Sequence, residues 1–261
     1  MNRYKVRVRF RKAGDLRFLS HHDLMRVWER LARRAQLPLR FSEGFHPKPR
    51  IVFPSALALG IVGHDEVVEL ELTQFLDPEE IYRRLQAHTV PGLDLVSVRT
   101  IPPQVIGQPA CATYRLQIPE ERVEQVQQCL VALQARSQWT VCREKPVPRQ
   151  LDARPFVRRL ALEGNCLWME LALSAQGSVR AEEVLQLLGI ADLLLDGRYA
   201  LERVRLVLQD ELPERSVQPV AARSREQSLA ASVCVHDEPE GTPASSDAGH
   251  RHFEETGDSG S

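Results

Sequence analysis

Residues 4–10, YKVRVRF, alternate strictly, with Tyr4, Val6, Val8 and Phe10 on one side and Lys5, Arg7 and Arg9 on the other. A period of two is that of a half-buried strand. The period then lengthens. Leu24, Val27, Trp28, Leu31 and Ala35 follow at helical spacing. Ser20 precedes them with Asp23 three residues on, a capping-box pattern with Asp where Glu is commoner, and Pro38 is placed to end the helix. IVFPSALALG, residues 51–60, reads as extended, and EVVELEL, residues 66–72, as a strand. Asp77 caps PEEIYRRLQAH, with Pro78 at the first helical position, and LDLVSVRTI follows as a strand. The order is strand, helix, strand, strand, helix, strand.

The order then recurs. TIPPQVIGQPA, residues 100–110, is a linker by its Pro and Gly content. ATYRLQI is a strand, and PEERVEQVQQCLVALQAR a helix with Val123, Val126, Leu130 and Leu133 inward. WTVCREK is a strand, VRRLALEGNCLWMELALS is two strands turning at Gly164-Asn165, AEEVLQLLGI is a short helix, and ALERVRLVL is a final strand. The expected fold is α+β, two tandem ferredoxin-like (βαββαβ) units at 1–100 and 112–209, joined by a linker at 101–111. From 210 to 261 the chain is rich in Ser, Glu, Asp, Gly and Pro, and a disordered acidic tail is expected.

Charge changes the picture. The net charge is −1, but residues 1–60 hold 14 Lys and Arg against 4 Asp and Glu, whereas residues 209–261 hold 4 against 11. A basic end of this strength fits a polyanion partner. No apolar run approaches the roughly 20 residues of a membrane span, and the N-terminus lacks the apolar segment of an export signal, so the expected location is the cytoplasm. The five cysteines form no C-x-x-C pair and are expected to be reduced and mostly buried. No metal or cofactor is expected.

The candidate chemistry gathers around RFSEGFHPKPR, residues 40–50. Pro47 and Pro49 lack an N–H, which excludes a helix interior or central strand. Arg40, His46, Lys48 and Arg50 flank Phe41 and Phe45 here, and Arg26, Arg30, Arg33 and Arg34 line the outer face of the preceding helix. Arginine forks suit phosphate, and aromatic rings stack on unpaired bases. The two rings fit a core beneath the loop equally well. His21, His22 and Asp23 at the helix start, with His46 and Lys48, form a candidate acid–base set. Metal-free RNA cleavage needs one group near neutral pKa and a second to protonate the leaving oxygen. The plainer reading makes Asp23 a cap and the histidines backbone partners. Asp152 and Arg154 sit in a Pro-bounded segment and either pin it or meet a partner protein.

Ser20-His21-His22-Asp23-Leu24-Met25-Arg26, Leu37-Pro38 and Phe41-Ser42-Glu43-Gly44-Phe45-His46-Pro47-Lys48-Pro49 resemble the radical-SAM-linked family, a bacterial domain of uncharacterised function. Lys145-Pro146, Asp152 and Arg154-Pro155 resemble its pattern further on, and the likeness spans about residues 3–208. Members often occur fused to, or encoded beside, a cobalamin-binding radical SAM protein. The chain lacks the C-x-x-x-C-x-x-C of such an enzyme, so the resemblance implies the partner alone: a non-catalytic RNA-binding accessory protein for tRNA or rRNA modification. The expected fold also resembles, more loosely, the CRISPR repeat-RNA processing endoribonucleases, a likeness that does not by itself transfer function; the acid–base candidates His21, His46 and Lys48 give the alternative, a metal-independent endoribonuclease. A third alternative is a protein–protein adaptor without an RNA role.

Overall fold

The computed structural model describes residues 3–144, 148–174, 177–195 and 197–212. Its strands are β1 (Tyr4–Lys12), β2 (Ile51–Val52), β3 (Val62–Leu72), β4 (Leu93–Ile101), β5 (Pro109–Gln117), β6 (Thr140–Arg143), β7 (Arg149–Asp152), β8 (Val157–Glu163), β9 (Cys166–Ser174), β10 (Gly177–Ser178) and β11 (Glu202–Leu208). Four α-helices join them: α1 (His21–Arg34), α2 (Pro78–Gln86), α3 (Glu120–Gln134) and α4 (Ala181–Leu187). The protein is therefore a mixed α+β fold. Nine strands form a single sheet in the order β10-β9-β5-β11-β3-β1-β4, with β2 added to β3 and β8 to β9, and β6 and β7 form a separate ribbon. The described residues belong to one compact unit. Among them no helix is long and apolar enough to cross a membrane.

In the first half β1 lies between β3 and β4, antiparallel to both, and β2 flanks β3. Val6, Val8 and Phe10 turn to α1 and α2, where Trp28, Leu24, Leu31, Ile81 and Leu85 close a core with Val68, Leu70 and Leu72 of β3. The Ser20 hydroxyl accepts from the Asp23 N–H at 3.2 Å, the N-cap half of the expected capping box, while the Asp23 carboxylate accepts from that hydroxyl rather than from the Ser20 N–H. That hydroxyl bond, followed by Arg26, holds the Asp23 carboxyl below its ordinary pKa. Helix α1 stops before Pro38. Gln36 takes a left-handed φ of 51°, and Leu37 N–H reaches back to Ala32 O at 3.1 Å, a Schellman closure with Gln in the place usually held by Gly.

In the second half β5 lies between β9 and β11, and β8 flanks β9. Val126, Leu130 and Leu133 of α3 and Val184 and Leu185 of α4 pack with Leu116, Leu167, Met169 and Leu206. The halves are joined edge to edge. Glu202 and Arg203 of β11 run parallel to Val62 and Gly63 of β3, so the two expected sheets are one continuous sheet.

Sequence alternation assigned Lys5, Arg7 and Arg9 to a solvent face, and here the structure corrects it. Lys5 and Arg7 are buried. They meet Glu69 of β3, with Lys5 Nζ at 2.5 Å and Arg7 Nη2 at 2.6 Å from its carboxylate. The segment between β4 and β5 roofs this layer, with Val105 O accepting from Lys5 Nζ at 2.7 Å. Gly107 must be glycine: a Cβ there would stand 2.5 Å from Glu69 Oε1 and 2.9 Å from Pro54 Cγ. Gly107→Ala is expected to lose about 1–3 kcal/mol in a urea melt, since either the roof lifts or the buried carboxylate leaves its partners. An unchanged midpoint would show that the roof yields freely.

The cysteines depart from the expectation in part. Cys111 is buried, Cys129 and Cys166 are half-buried, and Cys142 is exposed on the outlying ribbon; all four are free thiols. Cys234, Lys145, Pro146 and the expected tail beyond residue 212 lie outside the described residues.

Candidate nucleic-acid interface

Leu39 bridges to Leu72, Arg40 N–H donates to Glu71 O, and Glu71 N–H donates to Arg50 O. Both ends of the 40–50 stretch are thus hung on the outer edge of β3. Within it, Phe41 pairs with Pro49, Ser42 N–H bonds Lys48 O at 2.8 Å, and the Ser42 hydroxyl accepts from Lys48 N–H at 3.0 Å. Gly44, at φ 123°, turns the tip. The outcome is a short proline-stiffened loop standing off the sheet. Phe45 at its tip is fully exposed and Phe41 is 48% exposed, so neither ring is core.

The cations divide into two groups. Arg40 is tied to Glu71 at 3.3 Å, and Arg26 to Asp23 at 3.1 Å on the helix surface. Arg30, Arg33, Arg34, Lys48 and Arg50 are exposed and have no ion-pair partner among the described residues. Arg33 and Arg34 also occupy the last turn of α1, where cations offset the helix dipole. Arg30 and Arg34 line a small groove with His88 and Val90. The chain from Gln36 to Arg40 links the end of α1 to the loop.

Much of the N-terminal positive charge is neutralised within the protein's own ion pairs. Arg3, Lys5, Arg7, Arg9 and Arg40 all pair with carboxylates. Lys12 is buried, with its ammonium on Arg17 O and Leu19 O; burial lowers its pKa, against the pull of Glu66. Of the acid–base set, His21 and His22 lie side by side at the start of α1, with ring centroids 6.0 Å apart. The His21 ring meets the edge of Phe53 at 5.3 Å, while His46 and Lys48 lie exposed on the loop. No hydrogen bond joins these three side chains among the described residues. No group of three or more His, Cys, Asp or Glu there is arranged to hold a metal ion.

Asp152 and Arg154 resolve as pins. The Asp152 carboxylate accepts from the backbone N–H of Trp139 at 2.8 Å and of Arg154 at 3.1 Å, and the Arg154 guanidinium caps Arg136 O and Ser137 O at the end of α3.

Sequence reasoning missed an open cleft of about 960 Å³ between Ser55–Leu57 and α4. Arg203 and Tyr114 line it, and the Arg203 guanidinium is held by Glu66, with Nε 2.7 Å from Oε1, and by the Ser55 hydroxyl at 3.0 Å. Burial pushes the Tyr114 phenol up, against Arg203. Across the cleft Arg143 forks onto Glu183 at 2.6 and 2.7 Å. Burial opposes the Glu183 charge, but Arg143 and the Arg180 N–H outweigh it and bring the carboxyl below its ordinary value. The cleft thus holds two neutralised pairs, Arg203–Glu66 and Arg143–Glu183, beside Glu144, Arg180 and Glu182.

The fold and this surface define an α+β protein that keeps its ionic layers internal and exposes one aromatic, basic loop at a sheet edge. The chain belongs to the family described as Uncharacterized protein conserved in bacteria (DUF2344), which matches residues 5–182. Comparison with curated proteins gave no match.

Proposed function

We propose that this chain is a non-catalytic RNA-binding accessory protein, working in the cytoplasm beside a radical SAM enzyme in tRNA or rRNA modification. One observation carries the RNA reading: a fully exposed Phe45 at the tip of a stiffened loop, flanked by Lys48 and Arg50 without partners. A bare phenylalanine gains about 1.5–3 kcal/mol when a partner covers it, and an unpaired base covers it by stacking. Phosphates on either side would meet Lys48, Arg50 and the exposed arginines of α1. The radical SAM partner rests on the likeness carried by residues 20–26 and 41–49. Reading both halves as ferredoxin-like is supported by their strand orders, β4-β1-β3-β2 and β11-β5-β9-β8, each with two helices. The alternative, a metal-independent endoribonuclease using His21, His46 and Lys48, is tested by cleavage of labelled RNA with a chelator present.

The test is the salt dependence of binding to a labelled single-stranded RNA. Lys48→Ala/Arg50→Ala removes about two phosphate contacts, so the slope of log K against log salt is expected to fall by about one to two units, at unchanged melting temperature. An unchanged slope would take the loop out of the interface. No binding of the RNA even at low salt would favour the protein–protein adaptor.

A further inference from the structure

On the sheet face away from α1 and α2, Arg7 of β1 stands in register with Glu69 of β3 on one side and Arg99 of β4 on the other. Two arginines directly opposed across strands repel unless an anion lies between them. Glu211 is that anion. Its carboxylate accepts from Arg7 Nη1 at 3.0 Å, from Arg9 Nη2 at 2.5 Å and from Arg99. Asp210 accepts from Arg7 at 2.8 and 3.2 Å. Beside them Arg9, Arg99 and Arg205 line a pocket of about 310 Å³ with Asp65 and Glu211. Arg205 is exposed and has no ion-pair partner among the described residues.

The segment carrying these carboxylates is held by charge. The turn Gln209–Glu211 buries no residue, and Leu212 after it is 44% exposed. One backbone hydrogen bond, Gln209 N–H to Gln108 O at 2.8 Å, ties the turn to the roof segment. With the two carboxylates lifted away, Lys5, Arg7, Arg9, Arg99 and Arg205 would face only Glu69 and Asp65. An anion seated by ionic contacts, without apolar burial, is open to exchange for another anion.

We infer that Arg7, Arg9, Arg99 and Arg205 form a phosphate-binding site that Asp210 and Glu211 of the same chain occupy in cis. Guanidinium forks accept phosphate oxygens as they accept carboxylate oxygens. Tethering keeps the internal anion at high effective concentration, so an external phosphate binds only in competition with it. The site is separate from the 40–50 loop and stands or falls apart from it.

The experiment uses the full chain, with ten-residue oligouridylate as probe at low salt. Asp210→Asn/Glu211→Gln keeps the acceptors and removes the charges, and is expected to tighten binding about tenfold. Adding Arg99→Ala/Arg205→Ala should cancel that gain, whereas adding Lys48→Ala/Arg50→Ala should preserve the ratio. Failure of the loop reading therefore leaves a distinct signature. Competition by pyrophosphate would identify a small phosphate as sufficient; its failure would assign the site to a phosphodiester strand. Deca-glutamate competing as well as oligouridylate would overturn the phosphate assignment. So would unchanged affinity in the charge-removed chain. Glu211→Gln alone leaves Asp210 on Arg7 and guards against misfolding, with a smaller gain in the same direction. Loss of the fold in that variant too would make Glu211 a structural counter-ion and end the proposal.

Discussion

Glu66→Ala is expected to cost about 3–5 kcal/mol of folding stability, because it strands a guanidinium in the interior. Arg203 is 2% exposed and Glu66 3%, and their forked pair is the main neutraliser of either charge. Ser55 and the carbonyl of Ala56 satisfy part of the fork but carry no charge. Burial disfavours the Arg203 cation, and Glu66 outweighs it, so its pKa stays raised and loss of a proton offers no escape. Removing both partners should behave differently: Glu66→Met/Arg203→Met gives up the pair and its desolvation cost together, and should recover most of the loss. Urea melts of the two singles and the double complete the cycle. A Glu66→Ala penalty below about 1 kcal/mol would mean that water reaches Arg203 from the adjoining cleft.

The second large effect concerns binding with no stability component. Phe45→Ala is expected to weaken single-stranded RNA binding by about 1–3 kcal/mol, roughly 5- to 150-fold, while the denaturant midpoint stays put. A core phenylalanine would behave oppositely and cost about 3–5 kcal/mol of folding free energy; full exposure of this ring excludes that outcome. The salt slope should not move, because the ring carries no charge. Affinity equal to wild type would remove Phe45 from the interface, leaving the exposed cations alone to account for any binding.

Local patterns were legible where one element settles its own structure. The strand at residues 4–10, the Ser20 N-cap and the Gly164-Asn165 turn are found. The long-range consequences were not legible. Lys5 and Arg7 looked like a solvated face because the acids that bury them lie some sixty residues on, at Glu69, and two hundred on, at Asp210 and Glu211. One signal was available: Glu69 and Glu71 alternate with Leu70 and Leu72 as Lys5 and Arg7 alternate with Val6 and Val8, so the polar sides of two neighbouring strands are complementary. Asp210 and Glu211 were placed in the tail by composition, yet both bond Arg7, and Glu211 bonds Arg9 and Arg99 as well. The projecting loop was recognisable from its prolines. The exposure of its phenylalanines was not, because Phe alternating with charge suits a half-buried strand as well as a bare tip.

The roof over β1 has a consequence for synthesis. Strand β1 leaves the ribosome before the parts that cover its polar face, Val105 and Gly107 and then Asp210 and Glu211. At about 5–20 residues per second, the roughly 100 residues separating β4 from that turn take several seconds or more to appear. During that interval the helices and β1, β3 and β4 can assemble, but Arg7 and Arg99 face each other without their anion. The nascent first half therefore passes through a stage with an open arginine-lined sheet, at the one place in the cell where RNA is densest.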